Sequence, residues 1–159
     1  MRRKTRFRLL FKGALTACLG IIVYGASGLT QGELIVQHAL THLDAPYKYA
    51  ASGPSAFDCS GFVLHCLKRE GYALGRTAQK IGADARYRQI LDPGQLMVGD
   101  VVCFDTVRDD DPSDHVGFYM GGGQFVHASS AKGKVIVSDL ADWYLDKFTG
   151  ARRVAQVWF

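Results

Sequence analysis

The sequence predicts an α+β domain, with N-terminal helices packed on an antiparallel sheet of about five strands. Three observations carry that expectation. Apolar residues recur at helical spacing between Gln31 and Gln89. From Gln95 onward the pattern changes to short apolar runs. Turn residues separate those runs, above all Gly121-Gly122-Gly123. Helices first and hairpin-linked strands after describe an α+β fold rather than alternating parallel units.

Each element has its own signal. Glu33-Leu34-Ile35-Val36, Ala39-Leu40 and Leu43 place a first helix from about Gln31 to Leu43, and Pro46 ends it. A second helix runs from about Cys59 to Glu70 and closes at Gly71. A weaker helical pattern spans Thr77 to about Gln89. Val101-Val102-Cys103-Phe104 reads as a strand, and His115 to Met120 as another. The glycines turn the chain, and Gln124 to Ala128 returns. Lys134 to Val137 is a fourth strand. A short helix follows over Ala141 to Lys147, and Arg152 to Val157 closes the sheet.

A length of 159 residues accommodates one domain. With 48% hydrophobic and 21% charged residues it is a folding chain, not a disordered one. The formal charge of +4 misleads. Arg2, Arg3, Lys4, Arg6, Arg8 and Lys12 supply six positive charges in an acid-free segment; removing them leaves −2 for the remainder. The basic balance is therefore no sign of a nucleic-acid partner.

Residues 1–28 read as a targeting segment ahead of a domain over 29–159. Basic residues precede an uncharged run from Gly13 to Tyr24, and Gly25-Ala26-Ser27-Gly28 follows, with a cut after Gly28 expected. Two other fates stay open: retention as an anchor, or lipidation at Cys18 within Leu15-Thr16-Ala17-Cys18. All three place the body outside the cytoplasm, in the periplasm, the cell envelope or secreted, with membrane contact only through a retained or lipidated leader. Without Cys18, the cysteines Cys59, Cys66 and Cys103 are odd in number. Cys59 and Cys66 would lie about 10 Å apart along one helix, so no structural disulfide is expected.

Cys59 stands where a loop of small residues, Ala50 to Ala56, turns into the second helix. The first N–H groups of a helix lack internal partners, and its dipole makes that end electropositive. A thiol there is expected to lose its proton more readily, and the thiolate is the reactive form. Cys59 is thus a candidate nucleophile, against the plain alternative of a small buried hydrophobe.

A thiol nucleophile needs a histidine and a group that orients it. His38 and His42 lie four apart on the first helix with no third ligand evident, and read as a solvated face. His65 points to another face of the nucleophile's helix and reads as structural. His115 and His127 occupy two arms of one hairpin. If a three-glycine loop pairs Met120 with Gln124, Gly117 opposes His127 and His115 opposes Ser129. The two rings then share a face, with Cβ atoms about 7 Å apart. A two-residue loop would throw them to opposite faces. This suits His115 as the partner of Cys59 and His127 as its orienter; the alternative is two unrelated sheet histidines.

Three ordered segments carry a resemblance: Asp58-Cys59-Ser60-Gly61-Phe62-Val63, His115-Val116-Gly117-Phe118-Tyr119-Met120 and Phe125-Val126-His127-Ala128-Ser129. Together they closely resemble the NlpC-like cell-wall cysteine peptidases of the papain-like superfamily. Ala45-Pro46-Tyr47-Lys48-Tyr49, Arg76-Thr77-Ala78 and Val98-Gly99-Asp100-Val101-Val102 also resemble family segments. The likeness covers about Gln31 to Val154.

The resemblance implies a papain-like fold and a set of roles. Cys59 attacks the peptide carbonyl, His115 pairs with the thiolate and protonates the leaving amine, and His127 orients His115. Tyr47 matches an aromatic whose hydroxyl helps hold the oxyanion beside the Cys59 N–H. Asp58 and Ser60 would grip the free amino end of a stem peptide, or Asp58 simply caps the helix. Arg76 would line the groove, or form a surface salt bridge. The implied substrate is the peptidoglycan stem peptide, cut between a γ-linked D-glutamyl residue and diaminopimelate or lysine. No metal or other cofactor is implied, and a monomer is expected. Rival readings are a wall amidase of similar topology, a papain-like acyltransferase, or a wall-binding protein with a vestigial site.

Some positions depart from the family pattern. Ala50 and Ala51 replace two usual glycines, so any turn needing positive φ is expected to use Gly53. Cys103 replaces a usual Phe and reads as core. Asp109, Asp110, Asp111 and Asp114 precede His115; they read as a solvated loop, or as a field that raises the His115 pKa.

Overall fold

The computed structural model describes residues 28–107 and 112–155. The expected leader, its cleavage zone and Cys18 lie outside the described residues, as do Asp109 to Asp111 and the end of the strand expected to reach Val157.

Helix α1 spans Gln31–Leu40 and begins with a capping box. The Thr30 hydroxyl accepts from the Glu33 N–H, while the Glu33 carboxylate accepts from the Thr30 N–H. The chain then tightens into i→i+3 bonds through Leu43, so the path matches the expected helix although the α geometry stops earlier. Helix α2 spans Cys59–Arg69, is capped by Asp58 and closes before Gly71.

Helix α3 is shorter than expected, Ala78–Gly82. Arg152 donates from Nε to the Gly82 carbonyl at 2.8 Å, capping the helix end from far along the chain. The Asp84 carboxylate then accepts from the Arg86 N–H at 3.1 Å and bends the chain away. The rest of the expected helix is a turn over residues 83–87 and the start of strand β1, Arg88–Ile90, which pairs with the last strand. Strands β2 (Val101–Phe104), β3 (His115–Gly121), β4 (Gln124–Ser129) and β5 (Lys134–Asp139) follow. Helix α4 covers Asp142–Lys147, and β6 covers Phe148–Arg153, starting four residues before the expected Arg152. The sheet has six strands in the order β1-β6-β2-β3-β4-β5, every pair antiparallel.

Strand alternation divides the interior in two. Helices α1 and α2 bury Ile35, Ala39, Phe62, Val63 and Leu67 against Val116, Phe118 and Val126 on one face. Val102, Phe104, Phe125 and Ala151 form a smaller cluster on the other face, with Tyr144 of α4 and Phe148 packed on it. At about 25 cal/mol per Å² of apolar area, the helix-covered face supplies most of the fold's hydrophobic stabilisation. It fixes where the α2 N-terminus meets the sheet. Gly61 matters here: a Cβ at that position would sit 2.1 Å from the Ala51 carbonyl oxygen, so only glycine lets the loop before Cys59 lie against the helix.

Candidate active site

Asp58 organises the start of α2. Its Oδ1 accepts from the Gly61 N–H at 2.6 Å, the Ser60 hydroxyl at 3.3 Å and Arg76 Nη1 at 3.1 Å. Its Oδ2 accepts from Arg76 Nη2 at 2.7 Å. Arg76 Nη1 also donates to Ser60 Oγ at 2.8 Å. Asp58, Ser60 and Arg76 are therefore one network, with Asp58 both helix cap and ion-pair partner. The Arg76 bridge is bidentate with a buried carboxylate rather than a loose surface pair.

Cys59 is the first residue of this helix and is partly exposed. Its Sγ lies 3.7 Å from the Asp114 carbonyl oxygen, and the Val116 backbone N–H also acts on it. The thiol thus meets β3 at the residues on both sides of His115. Its pKa is raised, against expectation. Burial is the main cause and the Asp58 charge the second. The Ser60, Val116 and Cys59 N–H groups pull the other way but do not prevail.

The hairpin reaches the expected register by a different route. Gly121 pairs with Gln124 across a two-residue turn, yet Tyr119 pairs with Phe125 and Phe118 with Val126. An irregularity at Met120 absorbs the one-residue shift, acting as a bulge. Gly117 then faces His127: a Cβ on it would lie 2.9 Å from the His127 Cβ. His115 and His127 consequently share a face, and His115 Nε2 lies 2.7 Å from His127 Nδ1. That face carries Phe104, Phe125 and Tyr144, opposite the helices; Phe125 stacks on His127 at 4.6 Å between centroids.

His127 is fully buried, and its Nε2 lies 2.9 Å from Ser138 Oγ on β5. Sequence reasoning missed Ser138. The signal was there, because Ile136 pairs with His127 and Ser138 is its same-face diagonal neighbour. Burial lowers the pKa of His127 to about 3, and neighbouring His115 adds to the fall. His115 keeps an accessible edge but is densely surrounded, which lowers it to about 4. Asp114 does push His115 upward, as the acidic run led one to expect, but burial is the larger effect. The Asp114 carboxylate accepts from the Thr106 and Val107 N–H groups and so pins the loop before β3.

Tyr47 lies on the loop that joins α1 to α2. Burial raises its pKa, and Cys59 and Asp58 raise it further, which places its phenol within electrostatic reach of the thiol. Ala50 itself adopts φ 63°, as well as Gly53 at 84°, so the positive-φ turn does not fall on Gly53 alone. Cys103 and Cys66 are buried, each pushed up to about 12 by burial, and both are free, as is Cys59. A cavity of about 630 Å³ lies between the start of α1 and the Leu96–Asp100 segment, and none of Tyr47, Asp58, Cys59, Ser60, Arg76, His115, His127 or Ser138 lines it.

The sequence profile of the NlpC/P60 family matches residues 44–153, which span Tyr47, Cys59 and both hairpin histidines. The chain belongs to the NlpC/P60 family. A probable endopeptidase of Corynebacterium glutamicum is 35% identical over 103 residues, covering 65% of this chain and 46% of that protein. A gamma-DL-glutamyl hydrolase of Bacillus subtilis is 36% identical over 122 residues, 75% of this chain and 28% of the relative. Among solved structures, NlpC2 from Trichomonas vaginalis superposes with a TM-score of 0.75 at 31% identity, over 84% of this chain and 49% of that one. This NlpC/P60 chain spans less than half the length of these relatives.

Proposed function

We propose that this chain is an exported cysteine peptidase that hydrolyses peptidoglycan stem peptides between the γ-linked D-glutamyl residue and the following diamino acid. The observation that carries the reading is the pairing of a helix-terminal thiol with the strand end bearing His115, whose Nε2 is held 2.7 Å from His127. Relatives named as endopeptidases support the reaction class, and the gamma-DL-glutamyl hydrolase supports the type of bond. Export rests on the basic-then-apolar order of residues 1–28.

The hydrogen-bond order assigns the protons. In the productive tautomer His115 Nε2–H donates to His127 Nδ1 and His127 Nε2–H donates to Ser138 Oγ; the reverse order would put a proton on His115 Nδ1 and leave no base there. The productive order leaves Nδ1 of His115 as the basic atom. Both pKa directions favour a neutral thiol and a neutral imidazole at rest. For transfer, the accessible edge of His115 must meet the thiol at the start of β3, beside the Asp114 carbonyl that Sγ contacts; Cys59 Sγ then attacks the carbonyl carbon as its proton passes to His115 Nδ1. The Cys59 N–H and the Tyr47 hydroxyl hold the developing oxyanion. His115 returns the proton to the leaving amine, giving a thioester. Water then attacks the thioester, losing its proton to His115, and the thiol leaves reprotonated. The Asp58–Ser60–Arg76 network presents polar groups beside the thiol for the free amino end of the stem peptide.

Digestion of purified muropeptides, read by mass spectrometry, tests this. We expect release of the diamino-acid fragment, and loss of at least about 10⁴-fold in rate for Cys59→Ala. Products cut at the sugar–peptide link would establish an amidase instead. Turnover only of an ester or amine acceptor would establish an acyltransferase, and wall turnover that survives Cys59→Ala would leave a binding role.

A further inference from the structure

The remaining three histidines converge. His38 sits in the last turn of α1, His42 follows in the tightened turn just after the helix, and α2 packs His65 onto the same spot. One ring nitrogen from each lies within 4.8 Å of the other two. The sequence offered no third partner for His38 and His42; the α1–α2 crossing supplies it. We propose that His38, His42 and His65 form a three-imidazole site for a divalent transition metal of the zinc class.

The distances favour a metal over packing. His38 Nε2 and His42 Nε2 are 3.4 Å apart. That is long for an N–H···N hydrogen bond. It equals the edge expected between two ligands of a tetrahedral ion with about 2.05 Å bonds, roughly 3.35 Å. Bringing His65 to the same edge from within 4.8 Å needs a shift of up to about 1.5 Å, within the reach of a half-buried side chain. The donor set also selects the metal. Three neutral imidazoles without a carboxylate suit zinc, cobalt, nickel or copper and not magnesium or calcium. Three protein ligands leave a fourth position for water or an exogenous group.

The surroundings are consistent with this assignment. Burial and the neighbouring histidine hold His42 below its ordinary pKa, and burial with Arg69 does the same for His38, so both offer lone pairs at neutral pH. The Arg69 charge opposes a cation, and Glu70 offsets it. His38 Nδ1 is buried without a hydrogen-bond partner; a metal on Nε2 leaves it as the outward N–H, for which the Cys66 backbone is the adjacent acceptor. Gly53 makes room, since a Cβ there would lie 2.8 Å from His65 Nδ1. The ring of Phe57, two residues before the nucleophile, meets His42 and His65 edge-on at 5.0 and 5.2 Å. A bound ion would tie the end of α1 to α2 beside the ring of Phe57.

The site is tested on the full-length chain in mild detergent, without a polyhistidine tag and carrying Cys59→Ala so that the reactive thiol cannot bind metal. Calorimetric titration with Zn²⁺ should show one equivalent per chain, and Zn²⁺ but not Mg²⁺ should raise the melting temperature. His42→Gln and His65→Gln should each weaken binding by more than about ten-fold. Absence of stoichiometric binding, or binding undiminished by His65→Gln, would overturn the proposal. If a variant does not fold, Co²⁺ decides on the otherwise unaltered chain: intense tetrahedral d–d absorption supports the site, and a weak octahedral spectrum refutes it.

Discussion

All five histidines of this chain fall into two groups, one on strands and one on α1, the turn after it and α2. In the strand pair, the ring nitrogens are joined by hydrogen bonds in sequence: His115 to His127 at 2.7 Å, and His127 to Ser138 at 2.9 Å. The links couple the two tautomers, and the order running from His115 through His127 to Ser138 points one basic nitrogen outward. In the helix trio the nitrogens converge instead, at 3.4 Å for the closest pair, and His38 Nδ1 has no partner. One arrangement suits the movement of a proton and the other the sharing of lone pairs. The side chain is the same; the difference comes from the scaffold. Strands set rings side by side along one face, whereas two crossed helices aim them at a common point.

Acid titration should break the comparison most visibly. The folded pKa values of His115 and His127, about 4 and about 3, lie below the unfolded value near 6.5. The unfolded chain therefore binds more protons in between. The stability held by the neutral pair is complete above pH 6.5 and is lost as pH falls toward the folded values. Between pH 6.5 and 5 the loss is up to about 2 kcal/mol for each imidazole. Urea denaturation across that window measures it. In His127→Gln the slope should drop by as much as about 1.4 kcal/mol per pH unit; an unchanged slope would mean that the buried pair does not titrate as its burial requires.

Removing the end of the proton chain gives a smaller effect. Ser138→Ala leaves His127 Nε2 in a buried place with no acceptor, the condition of His38 Nδ1 in the other group. An orphaned buried donor costs about 1–3 kcal/mol. Chemical denaturation should show a loss of that order. Turnover should fall through kcat more than KM, since Ser138 orients a ring and does not touch substrate. Ser138→Thr keeps the hydroxyl and should recover most of both.

How legible these groups were in the sequence differs for a physical reason. The strand pair was readable because period-two alternation and hairpin register are local, and the bulge at Met120 happens to restore the expected register. The trio was not readable, because it depends on how α1 crosses α2, which no spacing encodes. The same holds for the lost half of α3, terminated by Arg152 some 70 residues away. It holds again for the thiol of Cys59. Its place at a helix N-terminus was evident, but burial and the fixed charge of Asp58 reverse the expected direction of its pKa. Local motif located the group; tertiary surroundings set its protonation.

The loop between the two groups offers the finest test. Its Phe57 touches the trio, while Ala51 accepts from the Asp58 N–H beside the thiol. Ala50 within it holds φ 63°, where a Cβ is strained by about 1 kcal/mol. Ala50→Gly removes that strain but enlarges the freedom of the unfolded chain, so the net gain should be positive and below about 1 kcal/mol. A small rise in melting temperature, with the acid slope unchanged, would show the strain to be local to the turn. A change in turnover without a change in stability would show instead that Ala50 sets the position of the loop against the thiol, and that the family's usual glycine is not equivalent here.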